Sequence, residues 1–236
     1  MELTPDLLLN HPLEFLRALF NPESLQQILQ SWGWLAYILL FLIVFVETGV
    51  FIFFLPGDSL LFVAGFVCAA SNSALNIWAL APLLIVAAIL GDAVGYSIGY
   101  NMGPRIFTKG ETTGTSVRDR LIAFLFNKNH LIKAQRFYDR HGGKTIIYAR
   151  FVPIIRTFAP LVAGAGQMRY SKFLSFNVFG GAGWVISMMV LGYYLGNLEI
   201  VRRHLEKVVI IIIILSVTPL LYEYWKSRRT ANVSVE

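Results

Sequence analysis

Hydrophobic residues in this chain gather in long runs rather than in alternation, and polar residues collect at a few places between and inside those runs. An α-helix needs about 20 apolar residues to cross a hydrocarbon core. Residues 76–100 form the cleanest such run. Residues 173–196 and 208–225 are two more, the last opening with Val208-Val209 and five consecutive isoleucines. Two other apolar stretches are interrupted. Residues 31–70 contain Glu47, Gly49, Pro56, Gly57 and Asp58. Proline removes a backbone donor and glycine loosens a helix, so Pro56-Gly57 is predicted to end one helix and let the chain reverse. The arms, 34–54 and 59–70, then make a re-entrant hairpin, although the first arm is also long enough to span alone. Residues 145–168 repeat the interruption with Arg150, Pro153, Arg156 and Pro160, then Gly164 and Gly166, and read as a second broken pair of half-helices.

Residues 1–30 hold Glu2, Asp6, Glu14 and Glu23 against Arg17, which does not fit the basic start of a signal peptide. Leu13, Leu16, Leu19 and Phe20 have helical spacing and predict a segment lying in the membrane interface. Asn21-Pro22-Glu23 has the order of a helix start: a capping amide, a proline tolerated in the first turn, and an acid at the positive end of the dipole.

Composition agrees with the pattern. Of 236 residues 56% are hydrophobic and 14% charged, against about 25% charged in soluble domains; the mean hydropathy is +0.61. One membrane domain, 31–226, with a short tail, 227–236, leaves no room for a separate soluble domain. The single Cys68 cannot form an internal disulfide and reads as a small buried hydrophobe. His11, His130, His141 and His204 are scattered outside the apolar runs, so no metal site, catalytic group or cofactor is expected.

Charge sets an orientation. Residues 101–144 hold nine Lys or Arg against Glu111, Asp119 and Asp139, which accounts for the whole net charge of +6. Such a loop reads as cytoplasmic and attracts anionic lipid headgroups. No aromatic-interleaved motif suggests nucleic acid. The tail, with Lys226, Arg228 and Arg229, reads as cytoplasmic too. The two hairpins then open to opposite sides. The expected fold is an all-α integral membrane protein, with two oppositely oriented re-entrant hairpins and three to four transmembrane helices, in the manner of an inverted-repeat transporter.

Gly91, Gly95, Gly99 and Gly103 recur every four residues and predict a smooth helix-packing stripe. Glu47, Asp58, Asp92, Arg150 and Arg156 lie inside apolar segments. Each isolated charge there costs at least ~2.5–3.5 kcal/mol on insertion scales, so the five must pair, protonate or face water. Arginine stays protonated and its planar fork matches phosphate, so Arg150 and Arg156 suggest a phosphate-bearing ligand. Glu47 and Asp58 are expected to couple transport to protons or to gate it, with Asp92 a third candidate that equally suits a helix-capping role. Tyr96 and Tyr100 suit interface anchoring or packing.

These residues resemble the DedA family of bacterial inner-membrane proteins, part of the SNARE-associated, VTT-domain superfamily. The resemblance rests on Glu47-Thr48-Gly49 and Phe54-Leu55-Pro56-Gly57-Asp58. It continues through Gly91-Asp92 with Gly95-Tyr96 and Gly99, then Arg150-Phe151 with Pro153 and Arg156, then Pro160 with Ala163-Gly164, in order over about residues 35–225. It implies two opposed re-entrant hairpins and a flippase for undecaprenyl phosphate or phospholipid that depends on proton motive force. Its functional acids and arginines map to Glu47, Asp58, Arg150 and Arg156. One alternative is a structural, partner-binding protein of the envelope that uses the glycine stripe. Another is a lipid phosphatase or transferase, for which no histidine in a span and no run of aspartates to hold Mg²⁺ is found.

Overall fold

The structure, a computed structural model, describes residues 21–49, 57–70, 73–108, 153–205 and 207–211. Every regular element among them is helical: α1 Pro22–Ser31, α2 Trp34–Gly49, α3 Gly57–Cys68, α4 Ile77–Thr108, α5 Pro153–Ala165, α6 Tyr170–Leu195 and the short α7 Glu199–Arg203. Pro56, Arg150, most of the basic loop, the tail, residues 1–20 and the greater part of 208–225 lie outside the described residues.

α1 starts as its sequence predicts. The Asn21 side chain accepts hydrogen bonds from the N–H groups of Glu23 and Ser24, at 3.0 and 3.1 Å, and proline opens the helix. Leu25, Ile28 and Leu29 are buried on one face, and α1 packs on α3. Gly33, at φ +54, makes the turn into α2. α4 is capped by Asn76, whose side chain accepts from the Trp78 N–H at 2.9 Å while its own N–H donates to the Tyr37 hydroxyl at 2.7 Å.

Two helices, through Ile77–Asn101 and Tyr170–Leu195, are long and apolar enough to cross a membrane, and 33% of each apolar window is buried within the protein. Trp78, Val86, Leu90, Phe179, Ile186 and Tyr194 present large apolar side chains outward. A soluble core helix buries such residues; here hydrocarbon is the solvent that suits them. α3 is different. It is buried on every side from Ser59 to Val67, and its 12 residues span roughly 18 Å, too short to cross a ~30 Å core.

The chain divides into two compact units, one of Met1–Ile43, Phe54–Leu84 and Trp184–Glu236, the other of Val44–Phe53 and Ile85–Gly183. α2, α4 and α6 contribute residues to both. Each unit contains the same helix-packing device. In the first, a Cβ on Gly65 would run into the carbonyl oxygen of Met189, and one on Gly192 into that of Phe62. In the second, a Cβ on Gly164 would meet the carbonyl oxygen of Tyr96, and one on Gly99 that of Leu161. In all four cases glycine and blocking carbonyl belong to residues three apart on their own helices. The sequences correspond as well: Val63-Ala64-Gly65 with Val162-Ala163-Gly164, and Leu191-Gly192-Tyr193 followed by Gly196 with Ile98-Gly99-Tyr100 followed by Gly103. The chain is built on an internal repeat in which α3 and α5 are counterparts, as are the C-terminal halves of α6 and α4.

One sequence expectation is corrected. Pro160 was expected to break the second hairpin, but it lies inside α5, which runs unbroken to Ala165. The proline costs one N–H, the one that the Arg156 carbonyl would have received, and the helix continues past it. It ends instead in a turn where Met168 N–H bonds the Ala163 carbonyl at 3.1 Å and Gln167 N–H bonds that of Gly164 at 2.9 Å. Gln167 takes the left-handed conformation there, at φ 56, a place usually held by glycine. The apolar stretch of α4 runs Ile77–Asn101, and the helix continues beyond it to Thr108; leaving the apolar zone does not require a helix to unwind.

Candidate functional site

The second unit places a guanidinium on a carboxylate deep among apolar residues. Pro153 opens α5, where its missing N–H is no loss. Arg156, one turn later, reaches Glu47 near the end of α2. Its Nη2 donates to Glu47 Oε1 at 2.7 Å, with side chains 4% and 2% exposed. Beside Glu47, the Thr48 hydroxyl turns back onto the carbonyls of Val44 and Phe45, at 2.9 and 3.3 Å. This satisfies its polar atom within its own helix and leaves the residue compact.

Gly91 of α4 fits against that compact surface. A Cβ on Gly91 would collide with Thr48 Oγ1 and the Phe45 carbonyl, and one on Gly49 would press on Gly91 at 3.1 Å. Gly91 and, farther along, Gly99 against Leu161 thus sit at close backbone contacts between helices. Asp92 follows Gly91 and is 2% exposed. It stands three residues past the middle of the apolar stretch Ile77–Asn101, about 5 Å along the axis. Because Thr48 seats on Gly91, the Glu47 carboxylate belongs to this same middle level.

Tyr96 and a residue that sequence reasoning passed over, Asn177, line the α4–α6 seam. Asn177, fully buried, donates its Nδ2 to the Ile89 carbonyl at 3.1 Å. The Tyr96 hydroxyl donates to the carbonyl of Met168, and the Tyr96 ring stacks on Phe173 with centroids 4.6 Å apart. Ile89, Asp92 and Tyr96 share one helical face, so Asp92 lies on the side of α4 that meets α6. Tyr96 is thus a packing residue, while Tyr100 stays 45% exposed.

Asp58, the other acid of the sequence reading, belongs to the first unit. Gly57 and Asp58 begin α3, and Asp58 Oδ1 accepts a hydrogen bond from Trp184 Nε1 at 2.7 Å. Trp184 is fully buried; nothing in the spacing marked it as the partner of Asp58. In repeat terms Asp58 and Arg156 fall within one residue of the same place, at the start of their half-helices. No group of His, Cys, Asp or Glu among the described residues has the arrangement of a metal site.

Fold and site together define a membrane protein, helical in every regular element of its described residues, with ionisable side chains buried among apolar ones. The VTT domain matches residues 55–194. The chain is 41% identical to Protein DedA of Escherichia coli K12 over 88% of its length and 90% of that protein's. It is 39% identical to a membrane protein of Mycobacterium leprae over 80% of each chain, and 30% identical to the inner membrane protein YqjA of Escherichia coli K12 over 79% of each. No solved structure matches. The chain belongs to the DedA family of VTT-domain membrane proteins.

Proposed function

We propose that this protein moves a phosphate-bearing lipid, undecaprenyl phosphate or a phospholipid, across the bacterial inner membrane. The observation that carries the reading is the buried Arg156–Glu47 pair at the level of Gly91 and Asp92. An arginine at that depth is costly, and a pair kept only for stability is a poor use of two charges, because desolvation offsets much of their attraction. A guanidinium that binds phosphate in exchange for its carboxylate has a reason to be there.

In this reading Glu47 holds Arg156 while the site is empty. A lipid phosphate competes for the guanidinium, and a proton taken up by the displaced carboxylate removes its charge, so lipid and proton occupy the site together. Arg150 is a second phosphate-binding group, and Asp58 and Asp92 are proton-coupling or gating groups. The basic loop and the tail face the cytoplasm and gather anionic headgroups. Two re-entrant hairpins of opposite orientation supply the breaks; the doubled glycine motif supports that arrangement. The proposed role is transport, not catalysis. Reconstituted into liposomes with labelled undecaprenyl phosphate or phospholipids, the wild type is expected to move at least one of them. Arg156→Ala is expected to move it roughly 10- to 100-fold more slowly, the loss of one charged hydrogen bond. Equal rates would reject the reading. A structural, envelope-assembly role instead predicts that the variant matters only through folding.

A further inference from the structure

Trp184 and Asp58 meet in the first unit, and we infer that Trp184 is a positioning residue of the transport cycle, holding the Asp58 carboxylate at the start of α3. This rests on the transport reading above.

The pairing is specified from both sides. A buried indole needs a partner for its N–H, and Trp184 is 1% exposed with a single donor to place. It places it on Asp58 Oδ1 at 2.7 Å, a well-formed N–H···O hydrogen bond. The helices that carry the two residues approach closely, with Gly65 at the carbonyl of Met189 and Gly192 at that of Phe62, where any Cβ would collide. Asp58 stands one turn before Phe62, and Trp184 two turns before Gly192, so this close seam sets the distance the indole has to span.

The internal repeat shows that this tryptophan is not generic filling. Trp184 stands 93 residues after Gly91, the same interval that separates Gly192 from Gly99. In the second unit the glycine at this place admits Thr48 and so brings Glu47 to the charged half-helix. In the first unit the largest side chain fills the place and itself provides the contact to the charged half-helix. In the second copy a carboxylate from another helix meets the half-helix's arginine; in the first, an indole N–H gives Asp58 a directional donor. Such a donor fixes where a carboxylate points without adding a charge of its own.

The test combines a spectrum with transport. The chain has five tryptophans, so a ¹⁵N-indole spectrum of the full-length protein is readable, and Trp184→Phe assigns the signal of interest. Asp58→Asn is expected to move that signal upfield. In liposomes, Trp184→Phe and Asp58→Asn are expected to slow lipid movement by the same factor, and the double variant to be no slower than either, with melting temperatures showing folded protein throughout. Wild-type transport by Trp184→Phe, additive losses in the double variant, or an indole signal indifferent to Asp58→Asn would overturn the inference. A wild type that moves no lipid while the indole signal still responds would leave Trp184 holding Asp58 and would sink the transport reading instead.

Discussion

Gly65 and Gly164, ninety-nine residues apart, occupy the same place in two copies of one packing motif: each follows Val-Ala on a short buried helix, and each presses on a backbone carbonyl, of Met189 and of Tyr96. A backbone oxygen cannot rotate out of the way as a side chain can. Gly65→Ala and Gly164→Ala are therefore each expected to destabilise the protein by about 1–3 kcal/mol, the usual cost of overpacking. Gly183, where an added Cβ would find open space with nothing within 4 Å, is the control: Gly183→Ala is expected to be neutral or stabilising by about 0.5–1 kcal/mol through helix propensity. Thermal unfolding of the three variants in one detergent checks the contrast.

Gln167 makes a second local prediction. Its φ of 56 is reached by a side-chain-bearing residue at the end of α5, which costs roughly 1–2 kcal/mol against glycine. Part of that is returned because glycine is freer in the unfolded chain. Gln167→Gly is expected to raise stability by about 0.5–1 kcal/mol, read as a higher melting temperature with unchanged helicity.

Tyr96 tests the seam between α4 and α6. Tyr96→Phe keeps the stack on Phe173 and removes only the hydroxyl that donates to the Met168 carbonyl. Leaving that carbonyl without its donor is expected to cost about 1–3 kcal/mol, seen as earlier unfolding. An unchanged melting temperature would show that the carbonyl finds another donor.

Much of this was legible in the sequence, for physical reasons. Asn21-Pro22-Glu23 announced α1 because capping is a local interaction. The stripe at Gly91 and Gly99 and the five intramembrane charges stood out because apolar surroundings make small or ionised residues conspicuous. What was not legible depends on contacts between distant helices. Nothing near Asp58 in sequence points to Trp184, and nothing near Ile89 points to Asn177. The internal repeat was hidden because its identities, Val-Ala-Gly and Gly-Tyr with a second glycine, are short and sit in runs where small and apolar residues are common. Pro160 misled because proline's local effect, one lost hydrogen bond, is smaller than the burial that holds α5 together, with Ala159, Ala163 and Ala165 all in the interior.

Glu47 and Arg156 allow the stability and the use of their pair to be separated. Removing either partner, as in Glu47→Ala or Arg156→Ala, breaks a buried ion pair and is expected to cost about 3–5 kcal/mol, with the double variant less destabilised than the sum. Unfolding of all three in detergent measures this coupling.

The most direct test of the central claim exchanges the two charges. Glu47→Arg combined with Arg156→Glu keeps an ion pair between α2 and α5 but moves the phosphate-binding guanidinium to the other helix. The account predicts folded protein that no longer moves lipid phosphate in liposomes, whereas lipid movement at the wild-type rate by the exchanged variant would show that the pair is a fastener and not the transport site.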